Sequence, residues 1–408
     1  MLRCIPARQS VWCGMTRCAA LLALLCGLFA AADGRAAEDP RIAARKQAKE
    51  ATVQRAGVQR ALSKEMPQAV RDLPVCGTIQ WTVKEMPFVE KGPHGGISGM
   101  GMVAIAGKVY VMGGFIPAGD ETDDPSRRTS RWAHRYDPES NAWTGLPDMP
   151  ARREYTRAIA TDKDVFVLGG AVQMRPTVPS AEVFRLDVSQ KMLKWRAFSS
   201  LTVPRTHMAV GKVGRYLVVA GGNKYDLAEK GYSEATIQNV TEVFDLTRPD
   251  RGWMQRTPIP GRARGWTASS VLNGKLYLLG GVTFAGDGKE TPRSRTRLQE
   301  SLSFDPVHDK WAHLADAPIP ISGWQSAPYR DRYLIVVGGA STLWNDVPFL
   351  YDVVADRWMR IASPLPPGGL FNDPGVAIIE DTIYVAGAEG PGGSHFNHFL
   401  VGKIRLAE

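Results

Sequence analysis

One residue breaks a repeated phrase, and it is an acid. The strings VYVMGG, VFVLGG, LVVAGG, LYLLGG and LIVVGG end in glycine pairs that begin at Gly113, Gly169, Gly221, Gly280 and Gly338. The residues that follow are Phe115, Ala171, Asn223, Val282 and Ala340, whereas in a sixth copy, IYVAGAEG, Gly387 leads to Ala388 and Glu389. A positioned carboxylate can take a proton as a general base, typically contributing ~10²–10⁴-fold. Sixteen residues before Gly169, Gly221 and Gly280 stand Arg153, Arg205 and Arg264. Fourteen before stand Tyr155, His207 and Trp266, and the same count from Gly338 and Gly387 reaches Trp324 and Asp373, the latter beside Asn372. Guanidinium groups suit bidentate capture of a carboxylate, and aromatic faces suit the apolar face of a sugar ring. His395, six residues beyond Glu389, adds an imidazole whose charge changes near neutral pH. The competing reading of each arginine is structural, as a side chain bonded to the backbone of a neighbouring repeat.

The elements that must position these groups are legible from the spacing. Successive glycine pairs lie 56, 52, 59, 58 and 49 residues apart, a period typical of repeat architectures. A turn such as NGK, DKD or EDT precedes each β-rich run. After each run come a variable loop, an aromatic and a tryptophan: Tyr136 with Trp143, Phe184 with Trp195, Phe244 with Trp253, Phe304 with Trp311, Tyr351 with Trp358. Polar turns such as YDPESNAW and FDPVHDKW separate most pairs and suit tight hairpins. The pattern predicts one four-stranded antiparallel sheet per repeat. The sixth repeat has no Trp after Phe399, but WTVKEMP at Trp81 matches WTGLPDMP at Trp143. The N-terminal strand is therefore expected to close the last sheet and leave no open edge.

This motif order, across residues 75–406, resembles the kelch family of β-propellers. The resemblance implies an all-β, six-bladed kelch-type propeller, with the counted positions on one rim of a central channel. The segment around Glu389 resembles the sialate mutarotases (N-acetylneuraminate epimerases), exported kelch propellers with an acid after a Gly-rich strand end. That likeness implies a sugar-acid mutarotase that opens and recloses a hemiketal ring. Glu389 would be the catalytic base, Arg153, Arg205 and Arg264 would hold the substrate carboxylate, and no metal or organic cofactor would be needed. His395 stands where that family has arginine. The alternative is a non-catalytic kelch module of the cell envelope, binding carbohydrate or protein through loops 115–131, 223–240 and 282–299. Galactose oxidase also carries a kelch-type propeller, but its cofactor needs a cysteine cross-linked to tyrosine, and the propeller here holds only Cys76. No GxSxG elbow, Walker loop or Rossmann fingerprint occurs.

The rest of the chain bounds place and partners. Arg3, Arg8 and Arg17, the run CAALLALLCGLFAAA and the small residues after it read as a signal peptide over residues 1–37. The expected product is periplasmic or extracellular. Residues 38–74 read as a charged helical or linker segment, with a solvated helix over 40–65 starting at Asp39–Pro40. Cys4, Cys13, Cys18 and Cys26 lie in the leader, so no intrachain disulfide is expected in the mature chain. Of the formal charge of +9, residues 1–74 contribute +6. The basic balance thus belongs mostly to the tail and does not point to nucleic acid.

Overall fold

Short turns in left-handed backbone set the pattern of the chain. Ala106–Gly107 and Asn273–Gly274 have positive φ at both residues, the geometry that joins twisted antiparallel strands in a two-residue hairpin. The computed structural model describes residues 61–89, 95–116, 129–173, 177–225, 236–284, 295–366, 372–390 and 394–407. The expected signal peptide and most of the expected solvated helix lie outside these residues.

Six four-stranded antiparallel sheets follow one another. Their innermost strands are Gly101–Ile105, Arg157–Ala160, Ala209–Val213, Ala268–Leu272, Ser322–Tyr329 and Gly375–Ile379, and they define blades one to six. Each packs beside the next, and the sixth packs beside the first, so the ring is closed around a channel. In blade six the outermost strand is Gly77–Glu85, paired along its length with His398–Leu406 and with Trp81 opposite Gly402. The N-terminal strand closes the ring as the repeats predict.

Six apolar clusters fill the wedges between neighbouring blades. The outer-strand tryptophans belong to these wedges, and in blades two to five the indole donates to a carbonyl of the blade before it. Trp195 reaches Pro147 at 2.8 Å, Trp253 reaches Ser199 at 2.7 Å, Trp311 reaches Thr257 at 2.9 Å and Trp358 reaches Ala315 at 3.0 Å. Trp81 follows the same rule toward blade five, reaching Ser363 at 3.2 Å.

Residues 61–74 do not behave as a solvated spacer. Leu62 and Val70 are fully buried in the wedge between blades four and five. Leu62 N–H donates to Trp344 O at 2.8 Å, and Ser63 N–H donates to Asp346 at 2.8 Å. The chain then runs along the outer edge of blade five, where Cys76 N–H donates to Arg360 O and Arg360 N–H donates to Pro74 O, both at 3.0 Å, before entering blade six. Leu62 and Val70 supply the apolar anchors that a charge-based reading of this segment passes over.

Candidate functional site: the mouth of the channel

The residues that lead into the innermost strands share one backbone state. Gly99, Tyr155, His207, Trp266, Gly323 and Asp373 have φ between 45° and 70°. The amides of His207, Trp266, Gly323, Asp373 and Gly99 donate to the carbonyls of Tyr155, His207, Trp266, Gly323 and Asp373, one blade back each time, at 2.6–3.2 Å. They form a collar around the channel. Left-handed φ costs a residue with a side chain of order 1–3 kcal/mol, and such strain concentrates at functional sites. Four collar positions bear it.

Those four side chains line a cavity of about 350 Å³, together with Glu389, Asn372, Arg295, Arg297, Ser322 and Trp344. Tyr155 stacks on His207 with ring centroids 4.1 Å apart, and His207 stacks on Trp266 at 4.0 Å. The trio forms an aromatic staircase along three blades. Tyr155 leans across blade one to blade six, where its hydroxyl donates to Glu389 Oε1 at 2.7 Å. Gly99 makes this reach feasible, since a Cβ there would lie 2.6 Å from the tyrosine ring.

Glu389 is a quarter exposed, and His395 Nε2 lies 3.6 Å from its Oε1. Asn372 Nδ2 donates to Asp373 Oδ2 at 3.0 Å and to Glu389 Oε2 at 3.4 Å, and so sits between the two carboxyls. Their environments drive them apart. Burial pushes Glu389 up, but His395, Tyr155 and Asn372 outweigh it and hold the group below the usual carboxylate range. Asp373 is pushed up to about 7, chiefly by burial and further by Glu389, against the opposing pull of Arg157 and Arg295. Near neutral pH one acid is ionised and the other carries a proton for part of the time, the arrangement that separates base from acid. Burial, with the charges of Arg157 and Arg295, holds His207 well below its usual value, so its ring is neutral.

The three counted arginines lie elsewhere. Arg153, Arg205 and Arg264 are completely or almost completely buried. Arg205 pairs with Glu242 at 2.8 Å, with both side chains fully enclosed, and donates to Gly221 O and Val240 O at 3.0 Å. Arg153 pairs with Glu182 and lies over Phe184, and Arg264 pairs with Glu300. Each is a clamp from the entry of a blade to its third strand, and none lines the cavity. Their own carbonyls accept from Gly114, Gly170 and Gly222 of the preceding blades. This continuous stitching turns the side chains inward to the sheets.

Trp324 is also displaced from its expected place. It is fully buried, stacks on Trp358 at 5.7 Å and donates to Leu279 O at 2.9 Å. The inner hairpin of blade five turns through three residues, Arg330–Arg332, between the paired Tyr329 and Tyr333. Blades one, three, four and six use two. The glycine pair therefore lags by one, and Gly323 takes the collar position. Its bare Cα matters, because a Cβ there would lie 1.8 Å from Asn372 Oδ1.

Arg295 and Arg297 were not singled out from sequence. Blade four extends its second and third strands, Lys275–Phe284 and Arg295–Asp305, beyond the glycine pair. The extension carries both arginines to the cavity. Neither makes an ion pair or hydrogen bond among the described residues, and Arg297 Nε is buried without a partner. The alternation RTR within a strand places both on one face, the one signal that could have found them. Trp344 forms another wall, and its carbonyl is held by Leu62. Most of loops 115–131, 223–240 and 282–299 lies outside the described residues.

A closed ring of six four-stranded sheets, with glycine pairs at the inner-strand ends and wedge tryptophans outside, defines a β-propeller of the kelch-repeat type. The Kelch motif matches residues 97–150, which span blade one. The chain is 27% identical to Kelch-like protein terF of Aspergillus terreus over 59% of its own length and 49% of that protein's. It is 29% identical to human Kelch-like protein 34 over 63% of its length and 38% of the relative. Alpha-scruin of Limulus polyphemus is 26% identical over 50% of this chain and 21% of its own. The chain spans less than half the length of these curated relatives.

Proposed function

We propose that this kelch-repeat propeller is an exported binding module that takes a small sugar acid at the channel mouth. The observation that carries this reading is the lining of the cavity. A stacked Tyr155–His207–Trp266 face stands beside Arg295 and Arg297, two arginines without ion-pair partners among the described residues, and a hydrogen-bonding acid, Glu389. A concave, polar space of this size fits a monosaccharide better than a flat protein surface. The ring would lie on the aromatic face and the acidic group on the arginines, the role that sequence had given to Arg153, Arg205 and Arg264. Calorimetric titration with neutral sugars and sugar acids tests it. Acids should bind more tightly, Trp266→Ala should weaken both classes, and the double variant Arg295→Ala, Arg297→Ala should erase the preference for acids. Equal affinity for acids and neutral sugars in wild type would overturn the anionic ligand, and no sugar binding at all would leave the protein-binding role of a kelch module.

A second reading adds catalysis, and the Glu389–Asn372–Asp373 arrangement favours it. An ionised Glu389 can accept the anomeric hydroxyl proton, and Asp373 or Tyr155 can protonate the ring oxygen. Exchange between anomers, followed by NMR, separates the two readings. A sugar-acid mutarotase would accelerate exchange, and Glu389→Gln would abolish the acceleration while leaving binding. Binding without acceleration in wild type would confine the protein to the first reading. Export itself is tested by the N-terminus of the secreted protein, expected between residues 33 and 38.

A further inference from the structure

Beyond the collar, the inner strands enclose a second and smaller space of about 70 Å³, walled by Met100, Met102, Val210 and Pro374. Its polar lining is Arg157, Ser269, Gln325 and Ser326. Arg157 is 7% exposed. Its Nη1 donates to Thr156 O at 3.1 Å and its Nη2 lies 3.8 Å from Asp373 Oδ1. Among the described residues, Nε and Nη2 make no hydrogen bond, and neither does the buried Nε2 of Gln325. Ser269 Oγ accepts from Val210 N–H at 3.2 Å, which leaves its own proton free to donate. No carboxylate lines the space among the described residues. Buried donors without acceptors are costly, above all on a charged group. Water would satisfy them but would leave the charge unanswered whenever Asp373 is protonated, whereas an anion answers both.

We propose that this space is an anion site for a halide-sized inorganic ion, held by Arg157, Gln325 and Ser269. A water occupies about 30 Å³, so the space accepts a small ion and excludes a sugar. The inference is independent of what occupies the mouth. Asp373 faces Arg157 directly, His207 feels its charge, and Asp373 is in turn acted on by Glu389 and Arg295. His207 is neutral, and the Arg295 and Glu389 charges oppose each other. Asp373 is the near competitor: ionised, it neutralises Arg157, and protonated, it leaves the guanidinium to the anion. The anion should bind more tightly in acid, and by reciprocity it should raise the proton affinity of Asp373.

Chlorine NMR line width of sodium chloride solutions of the intact protein, at constant ionic strength with gluconate, tests this directly. We expect excess broadening that bromide displaces and that is several-fold greater at about pH 5.5 than at about pH 8.5. Gln325→Leu, which keeps the charge and shape of the core, should reduce it, and Arg157→Gln should remove it. A crystal soaked in bromide should show an anomalous peak between Arg157 and Gln325. Absence of excess broadening in wild type, broadening unchanged in Gln325→Leu, or water alone at that position in the bromide crystal would each overturn the site.

Discussion

Asp373 is the residue whose ionisation the fold changes most usefully. A carboxyl has an unfolded pKa near 3.9, and here it is pushed up to about 7. Between those values the folded chain holds more protons than the unfolded one, so this group makes stability fall as pH rises from about 4 to about 7. The expected outcome is that Asp373→Asn flattens that part of the stability curve, measured by urea midpoints across pH. Curves of equal slope would mean that the carboxyl is ionised throughout. Gly323→Ala tests the neighbour. Its Cβ would collide with Asn372 in left-handed backbone, at a cost of order 1–3 kcal/mol. It should also weaken ligand binding, because Asn372 would leave its place between the acids. Tyr155, His207, Trp266 and Asp373 were reachable by counting because the hairpins after them keep one length, and Glu389 because it breaks the repeat. Trp324 was misplaced because one extra turn residue shifts the count.

At the scale of the element, the arginines teach the sharper lesson. Type and spacing are identical for a rim group and a clamp. What decides between them is a partner far along the chain: Glu182 just before a third strand, and Glu242 and Glu300 on third strands. Those glutamates stand after loops of unequal length, so no fixed offset reveals the pairing. For Arg205 and Glu242, both enclosed, loss of one member strands the other's charge. We expect Arg205→Met to destabilise the protein by about 3–5 kcal/mol without changing the affinity of the stabilised remainder for ligand. Loss of affinity with unchanged denaturation midpoint would restore the rim role. Arg295 and Arg297 were illegible for the opposite reason. They lie on an extension peculiar to blade four, and a search for what repeats passes over what does not.

For the whole molecule, glycine pairs and tryptophans made the ring legible, because packing wedges demand the same residue at the same place six times. Closure follows from one strand. Deleting residues 75–87 should lower the melting temperature of the entire propeller, since blade six loses its outer strand and Trp81 its place in the wedge. A synthetic peptide of residues 77–85 should recover part of the loss. An unchanged melting temperature would place closure elsewhere. The segment before that strand reads as a spacer because its charges dominate its composition, yet Leu62 and Val70 bury in the wedge and backbone bonds hold the chain beside them.

That seat has a mechanical consequence. Leu62 and Ser63 grip Trp344 and Asp346, and Trp344 is a wall of the mouth. Among the described residues, a pull at residues 61–63 therefore passes to Trp344 and so to the wall of the cavity. Tension from the N-terminal side would be felt as a change in the shape of the pocket.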